Sequence, residues 1–293
     1  MTVQGAAAQV FGVGDVSVVK VVDVIEPMSP KVLYVGKSRE DFDPHLDWLQ
    51  PHFLDEARSM LLSIHSLIIR TGHHTVLVDT CLGNHKQDAG FPQWNDRRGT
   101  YLEDLAAAGC SPESIDYVFC THMHIDHTGW NTRLQDGRWV PTFPNARYLF
   151  NKAEWDGIKD HPGAHEQAVL RQNLLPIVEA DQVQWVDGEW EIDDVVSLLP
   201  TPGHTPGHCS VRVASAGRRA VITGDMMIHP VQIAEPHWQQ SADADKAKAA
   251  ATRTKFVQDH CDTDVLVLGT HFNTPTGVHI VSQGDATRIR FPD

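Results

Sequence analysis

Four side chains that can bind a metal ion fall within six consecutive residues, and they are His122, His124, Asp126 and His127. They follow the apolar run 115–120, which is short and rich in β-branched and aromatic residues and therefore predicts a buried strand. Alternate side chains of an extended segment share a face, so His122 and His124 can reach one ion together. If the chain then turns into a helix, Asp126 and His127 can bind a second ion. The alternative is a loop of solvated histidines.

Three later segments each end a strand-like apolar run with another metal-binding side chain. These side chains are His204, Asp225 and His271, which follow the apolar runs 195–199, 221–223 and 265–268. A turn rich in Pro and Gly precedes the first of them and should present it rigidly. Three strands that each close on a ligand favour a metal site over a solvated loop, and two ions are the simplest interpretation of the set.

This order of motifs resembles that of the metallo-β-lactamase-fold hydrolase superfamily, over about residues 60–285. The resemblance rests on the His-x-His-x-Asp-His run followed by His204, Asp225 and His271. It implies an α/β fold, a four-layer αββα sandwich of two similar halves. It also implies the following metal ligands: a first zinc held by His122, His124 and His204, a second zinc held by Asp126, His127 and His271, and Asp225 bridging the pair.

The donor types agree with two Zn²⁺ per chain. Imidazole nitrogen and carboxylate oxygen suit zinc, whereas an all-thiolate set would indicate a closed structural site, and Mn, Fe or Co accept similar ligands. Two ions about 3.5–4 Å apart can share a water, lower its pKa and place a bridging hydroxide for attack on an electrophilic carbon or phosphorus. Asp126 is a candidate catalytic residue, because it could orient this nucleophile or pass its proton to the leaving group.

Asp79 is a candidate supporting residue, which follows the apolar run 76–78. In the superfamily an aspartate at this point holds the ligands in orientation through hydrogen bonds. The alternative is an aspartate that only caps a turn.

The substrate is predicted from a narrower resemblance. Within the superfamily the sequence looks most like the N-acyl homoserine lactonases and the methyl parathion hydrolase group. Many of those lactonases carry a tyrosine three residues after the bridging aspartate, and here that position is Ile228. His229 is a candidate replacement, with a core histidine as the alternative. We therefore expect a dinuclear zinc hydrolase that opens a lactone or cleaves a carboxylic ester.

Two aromatic residues adjacent to ligand segments, Trp130 and Phe272, are candidate walls of the substrate pocket. Ligand pockets are lined mainly by apolar and aromatic side chains, which favours this assignment. The alternative is that both belong to the core, where aromatic residues are more often found.

Other reactions fit the same ligands less well. A phosphotriester hydrolase is one alternative, and a glyoxalase II-like thioesterase is another. The thioesterases use basic residues near the C-terminus, where this chain has only Arg288 and Arg290. A mononuclear iron sulfur dioxygenase is a distant redox alternative, distinguished by metal content and oxygen uptake. A metal-binding protein without activity is the non-enzymatic alternative, and the complete ligand set argues against it.

The composition limits the partners. The 293 residues carry a formal net charge of −14, which argues against binding to nucleic acid or to an anionic membrane. No apolar run reaches the roughly 18 residues of a membrane span, and residues 1–15 lack the features of a secretory signal. Five scattered cysteines favour the reducing cytoplasm. We expect a small-molecule lactone or ester as partner, and a homodimer as the commonest default.

The elements that must position the ligands follow from the apolar patterns. Strands are expected at 16–25, 61–69 and 75–78, and helices at 100–108, 165–179 and 243–261. Pro176 should interrupt the second helix, and Asn151 and Glu154 form a predicted capping box. Each half of the chain contains a strand that ends in Asp and a later strand that ends in Thr-His, which suggests two similar halves. We expect one domain over 1–293, in which residues 27–60 either cover the site or pack as an ordinary loop.

Overall fold

The computed structural model of the chain describes residues 9–161 and 163–292. Its strands form two seven-stranded sheets and one two-stranded sheet within these residues. In chain order the strands are β1 (Gln9–Val13), β2 (Val16–Met28), β3 (Met60–Arg70), β4 (Thr75–Val78), β5 (Tyr117–Phe119), β6 (Thr132–Gln135), β7 (Arg138–Pro141), β8 (Arg147–Asn151), β9 (Val183–Val186), β10 (Trp190–Glu191), β11 (Val196–Pro200), β12 (Cys209–Ser215), β13 (Arg218–Ile222), β14 (Leu266–Leu268), β15 (Gly277–Gln283) and β16 (Ala286–Arg290).

The helices are short apart from the last one. In chain order they are α1 (Pro30–Leu33), α2 (Leu46–Leu49), α3 (Tyr101–Ala107), α4 (Ile125–Thr128), α5 (Lys152–Ile158), α6 (Ala164–Val169), α7 (Leu175–Glu179), α8 (Val231–Ala234) and α9 (Lys246–His260). Single 3₁₀ turns or short 3₁₀ helices lie at Arg39–His45, Pro92–Trp94, Pro112–Ser114, Gly129–Asn131 and Gly224–Met226. Two large sheets with helices between their strands confirm the predicted α/β class.

The described residues divide into two compact units. The first unit contains the residues up to Asp23 together with Ile64–Gly188, and the second contains Val24–Ser63 together with the residues from Glu189 onward. The N-terminal part of the segment 1–15, for which no secretory signal was predicted, lies outside the described residues. In the part of the chain that is described, no helix combines the length and the apolar content that a membrane crossing requires.

The first unit is built on a sheet with the strand order β1-β2-β3-β4-β5-β8-β9. Its strands β4 and β5 run parallel, with Val76 paired to Tyr117 and Val78 to Phe119. Both strands are short and almost wholly buried, as expected for parallel strands that are covered on both faces. Because parallel strands end at the same edge of a sheet, the residues that follow β4 and β5 leave this edge side by side.

The second unit repeats this arrangement in a sheet with the order β10-β11-β12-β13-β14-β15-β16. Here β13 and β14 form the parallel pair, with Val221 paired to Val267, and α9 lies in the connection between them. Each unit therefore contains one pair of neighbouring parallel strands of which the first leads to an aspartate and the second to a Thr-His pair. The similarity of the two halves that was predicted from this echo is confirmed at the level of strand pairing.

Residues 27–60 fold as a packed segment of the second unit. The backbone of this segment pairs with the segment after α8, since Val35 N–H donates to Gln239 at 3.0 Å and Ser241 N–H donates to Leu33 at 2.8 Å. The ring of Phe42 meets the ring of Trp238 edge-on, with centroids 5.2 Å apart. These contacts agree with the alternative of an ordinary packed loop. That the segment covers the site stays a prediction.

The helix expected over 165–179 is interrupted near Pro176, as predicted, because a π-helical turn at Leu170–Leu174 separates α6 from α7. Proline has no N–H for the regular helical bond, so the turn widens ahead of it. At the predicted capping box, Asn151 accepts from the N–H of Ala153 at 2.9 Å, and one oxygen of Glu154 accepts the N–H of Met123 at 3.0 Å.

Candidate metal centre

The His-x-His segment of the first unit follows β5 and leads through bends at Thr121, His122 and His124 into α4. Nε2 of His122 and Nδ1 of His124 lie 2.9 Å apart, so their ring nitrogens converge on one point. Because α4 begins at Ile125, Asp126 and His127 lie on a helical turn and not on the preceding strand. The helical turn that binding of a second ion by Asp126 and His127 would require is therefore present.

Asp79 lies directly after β4 and holds the ring of His127. One oxygen of Asp79 lies 3.0 Å from Nδ1 of His127, and the carboxylate also accepts the N–H of Thr121 at 2.7 Å. Asp79 adopts a left-handed backbone conformation (φ 58°), which few residues other than glycine, asparagine and aspartate tolerate. A carboxylate oxygen this close to Nδ1 favours the ring proton on that nitrogen, which would leave the lone pair on Nε2. This is the contact that the predicted supporting role requires.

Two further side chains hold the backbone of the His-x-His segment. Glu154 accepts a hydrogen bond of 3.0 Å from the N–H of Met123, between the two histidines. The hydroxyl of Thr128 donates to the carbonyl of His124 at 2.8 Å and accepts from the side-chain amide of Asn173 at 3.0 Å. Asn173 is presented by the π-helical turn, so the interruption of the helix serves to place this side chain.

His204 lies in the second unit, on the turn that follows β11. Gly203 precedes it with φ 135°, a conformation that favours glycine. Nδ1 of His204 lies 3.1 Å from Oδ1 of Asp243, and Nε2 lies 3.6 Å from Oδ2 of Asp225. Nearby, His208 uses both of its ring nitrogens, one with the hydroxyl of Thr201 at 2.8 Å and the other with a backbone N–H. His208 is thus a structural histidine.

Asp225 and His271 occupy the ends of the parallel pair in the second unit. Oδ1 of Asp225 lies 3.1 Å from Nε2 of His271, and Nδ1 of His271 donates to the carbonyl of Ser63 at 3.2 Å. The hydroxyl of Thr270 accepts the N–H of Gly224 at 2.9 Å, which fixes one strand end against the other. The two oxygens of Asp225 therefore face two different histidines, His204 and His271.

The donor chemistry of these residues fits zinc. In both units the candidate ligand atoms are imidazole nitrogens and carboxylate oxygens, and a carboxylate or carbonyl oxygen lies 3.0 Å, 3.1 Å and 3.2 Å from Nδ1 of His127, His204 and His271. Cys120 lies close in sequence, but burial raises the pKa of its thiol well above the usual range. A protonated thiol is a poor ligand, so the set contains no competing soft donor from this residue.

The candidate pocket residues lie in the packed interior of their own units. Trp130 is stacked on Tyr101, with ring centroids 5.5 Å apart, and Phe272 is fully buried against Phe53. Their assignment to a substrate pocket stays a prediction.

His229 has the contacts of a core histidine, which was the alternative to a replacement for the missing tyrosine. Its Nε2 donates to the carbonyl of Phe53 at 3.0 Å, while its Nδ1 accepts the N–H of Val231 at 3.2 Å. Burial lowers the pKa of His229 to about 4. With both nitrogens engaged, this ring has no N–H left to replace the hydroxyl of the tyrosine that is absent at position 228.

Sequence patterns did not indicate that Glu154, Asn173 and Asp243 support the segments that carry the candidate ligands. Each binds an irregular segment that carries a ligand, and buried backbone groups in such segments must find partners. The sequence indicates that partners are needed but not which distant residues supply them. Asp243 in particular resembles any aspartate near the start of a helix.

Comparison with known proteins places these residues in a family. The model of the Metallo-beta-lactamase superfamily matches residues 60–271. An N-acyl homoserine lactonase from Bacillus sp. is 30% identical over 109 residues, which are 37% of this chain and 37% of that protein. The N-acyl homoserine lactonase AttM from Rhizobium radiobacter is 24% identical over 196 residues, 60% of this chain and 67% of that protein. The chain thus spans well under half of the length of the Bacillus relative that it matches.

Solved structures extend the likeness to nearly the full length. The hydrolase AbOPH of the beta lactamase superfamily superposes with a TM-score of 0.81 and 23% identity, over 99% of this chain and 100% of that chain. AidC, a dizinc quorum-quenching lactonase in complex with a product, superposes with a TM-score of 0.79 and 21% identity, over 98% of this chain and 97% of that chain. At such identities the likeness establishes the fold. The family model and the fold together show that the chain belongs to the Metallo-beta-lactamase superfamily, as its ligand motifs predicted.

Proposed function

We propose that the chain is a hydrolase that binds two divalent ions, with zinc as the preferred metal and Mn, Fe or Co as substitutes. The first ion would be held by His122, His124 and His204, the second by Asp126, His127 and His271, and Asp225 would bridge them. The observation that carries this proposal is that Oδ2 of Asp225 faces His204 at 3.6 Å while Oδ1 faces His271 at 3.1 Å. A carboxylate that serves two ions needs this division of its oxygens.

The chemistry proposed is the opening of a lactone or the cleavage of a carboxylic ester. Two such ions, when bound, lower the pKa of a shared water and polarise a carbonyl group. Asp126, with its side chain 14% exposed and its Oδ2 3.6 Å from Nε2 of His127, would accept a proton from the nucleophile and deliver it to the leaving group. Several relatives are named N-acyl homoserine lactonases, which supports a lactone as substrate.

One local feature favours a lactone or ester other than an acyl homoserine lactone. The residue three positions after Asp225 is Ile228, which is buried and whose backbone N–H donates to Gln232 at 2.9 Å. An aliphatic side chain cannot donate a hydrogen bond to a developing oxyanion. At this position the oxyanion that develops on the substrate carbonyl would therefore be stabilised by the metals alone. We expect activity on a broad range of lactones and esters.

The two alternative hydrolytic reactions have less support. Arg288, one of the two basic residues near the C-terminus, stacks over the ring of Trp48 at 5.5 Å and is thereby part of the packing of the second unit. This contact engages one of the two arginines near the C-terminus, which weakens the support for a glyoxalase II-like thioesterase. For a phosphotriester no residue of the described chain offers specific support, and we keep this reaction as an outcome of the test.

The proposal also includes the compartment and the assembly of the protein. All five cysteines are free thiols, which suits a reducing compartment, and we place the enzyme in the cytoplasm. A homodimer is the default assembly that we propose, to be tested by light scattering on the purified protein.

The test combines metal analysis with a substrate panel. The purified protein is assayed on γ- and δ-lactones, an acyl homoserine lactone, an aryl ester, an aryl phosphotriester and a thioester. We expect two zinc ions per chain and preferential hydrolysis of a lactone or ester. Activity confined to the phosphotriester or thioester would overturn the substrate class, and a single iron with oxygen uptake would overturn hydrolysis altogether.

A matched pair of variants connects activity with the ligands. D225N keeps the size of the side chain but removes the charge proposed to bridge the ions, so metal content and activity should both fall by at least about tenfold. D264N makes the same change at an exposed aspartate that pairs with Arg219 at 3.0 Å. Wild-type rates in D225N with one ion or none would refute the two-metal proposal.

A further inference from the structure

Asp243 and His204 form a buried contact that the sequence did not predict. Oδ1 of Asp243 lies 3.1 Å from Nδ1 of His204, and the exposed fractions of the two side chains are 0% and 1%. A carboxylate accepts but cannot donate, so Nδ1 carries the proton and donates it. The lone pair of the ring is then on Nε2, the nitrogen that faces Asp225.

The backbone fixes this contact. Ala244 N–H donates to the carbonyl of His204 at 2.9 Å, and Asp245 N–H donates to the carbonyl of Gly203 at 3.0 Å. A Cβ on Gly203 would lie 2.3 Å from the backbone nitrogen of Ala249, which shows how closely the start of α9 approaches this turn. The two segments cannot slide past each other without breaking these bonds, so Asp243 stays opposite the ring.

Arg253 of α9 holds the other oxygen of Asp243. Its Nη2 lies 3.5 Å from Oδ2 of Asp243, and neither side chain has any exposed surface. Its Nε donates to the carbonyl of Met226 at 2.7 Å, and its Nη1 donates to the carbonyl of Trp238 at 2.8 Å. A buried anion is stable only beside a compensating charge, so the guanidinium of Arg253 keeps the carboxylate of Asp243 charged beside the histidine.

Gln240 completes the connection to Asp225. Its backbone N–H donates to Oδ2 of Asp243 at 2.9 Å, and its side-chain amide donates to the carbonyl of Asp225 at 2.8 Å. One network thus joins the backbone of Asp225, the carboxylate of Asp243 and the ring of His204, all within the second unit.

We propose that Asp243, held in place by Arg253 and Gln240, is a positioning residue that fixes the orientation and tautomer of His204 for metal binding. This inference rests on the proposed function, in which His204 is a ligand. Asp243 would do for His204 what Asp79 does for His127 in the first unit, where the corresponding distance to Nδ1 is 3.0 Å. A hydrogen bond of this kind orients a ligating ring and raises its basicity.

The decisive variant is D243N. An amide that donates to Nδ1 moves the ring proton to Nε2, the nitrogen that would bind the metal. An amide turned the other way places its N–H groups against the N–H groups of Arg253 and Gln240, which also donate. The matched control is D245N, two residues away, whose side chain only caps α9 by accepting the N–H of Lys248 at 3.0 Å. Asparagine is as good a cap as aspartate, so this control should be silent.

Two measurements are made on wild type, D243N and D245N. Competition with a chromophoric chelator gives the zinc affinity, which should fall about 10- to 100-fold in D243N and stay unchanged in D245N. Nitrogen-15 NMR of the metal-free proteins, with the His204 signals assigned by their loss in H204Q, reports which ring nitrogen carries the proton. We expect Nδ1–H in wild type and D245N, and loss of that pure tautomer in D243N.

The outcomes separate this inference from the proposed function. A metal-free wild type whose His204 carries its proton on Nε2 would overturn the inference even if D243N failed to fold. Equal zinc affinity in D243N and D245N would also overturn it. A wild type that binds no divalent metal would refute the proposed function, while the tautomer measurement would still report whether Asp243 fixes the ring.

Discussion

Glu154 accepts a hydrogen bond of 3.0 Å from the backbone N–H of Met123, in the middle of the His-x-His segment. Glu154 is buried in the first turn of α5, and one oxygen of its carboxylate reaches the segment. The bond fixes the peptide between His122 and His124, so it bears on the direction of both rings.

Replacing Glu154 with alanine should therefore weaken metal binding and stability together. The variant leaves a buried N–H without a partner, which costs about 1–3 kcal/mol in the free energy of unfolding. E154Q retains an acceptor oxygen and should recover most of the loss. Thermal unfolding and zinc titration of both variants, beside E103A at an exposed position of α3, provide the measurement. Equal stability of E154A and E103A would show that the bond has no such role.

Asp79 is expected to control the tautomer of His127. D79N can still accept the N–H of Thr121, but its amide group would donate to Nδ1 of His127 and move the ring proton to Nε2. Zinc affinity should fall about 10- to 100-fold, by the same reasoning as for a carboxylate behind any ligating histidine.

The matched control for D79N is D181N. Asp181 is exposed and has φ 57°, nearly the same left-handed backbone conformation as Asp79, with φ 58°. Asparagine tolerates this conformation well, so backbone strain is equal in the two variants. A comparable loss of zinc affinity in D181N would attribute the effect to the backbone and not to His127.

Gly129 brings the end of α4 against the loop that carries Asp79. Its N–H donates to the carbonyl of Cys81 at 2.8 Å, and a Cβ at this position would lie 2.0 Å from the backbone of Leu82. G129A must push the two segments apart, so we expect a loss of about 3 kcal/mol or more in stability, together with reduced metal content.

Gly157 offers the control for this substitution. It lies inside α5 with open space around the position of a Cβ, so G157A should be neutral or stabilising by about 0.5–1 kcal/mol. Chemical denaturation of the two variants gives the comparison. A mild effect of G129A, similar in size to that of G157A, would mean that the loop can relax at no cost.

The proposed ligands could be selected from sequence because each lies just beyond a short apolar strand. Apolar runs identify such strands, and the pairing of β4 with β5 and of β13 with β14 follows from the repeated strand-Asp and strand-Thr-His order. An end to the extended segment after His124 was also predictable. The adjacent residues Asp126 and His127 would point to opposite faces of a strand, so they could not both bind one ion from it.

The residues that hold the ligands were not predictable in the same way. Glu154 fits a capping pattern, and only the fold shows that its carboxylate binds the N–H of Met123. Asp243 and Asp245 are alike in sequence, yet one faces His204 and the other caps a helix. Local pattern does not separate them, because the difference lies in a contact across 39 residues of chain.

His229 should make stability depend on pH. Burial lowers its pKa from the model-peptide value of about 6.5 to about 4 in the folded protein. Between these values the unfolded chain binds a proton that the folded protein does not, so stability is full above about pH 6.5 and is lost as the pH falls toward 4. The loss attributable to this residue is on the order of 3 kcal/mol.

The variant H229Q removes this dependence while keeping a donor for Phe53 and an acceptor for Val231. Urea unfolding between pH 4 and pH 7 should show a shallower slope in H229Q than in wild type, with a residual slope from His45, whose pKa burial also lowers. The control H237Q alters a histidine whose side chain is 71% exposed and should follow the wild-type curve. If wild type and H229Q lost stability in parallel over this range, His229 would not be the group that titrates.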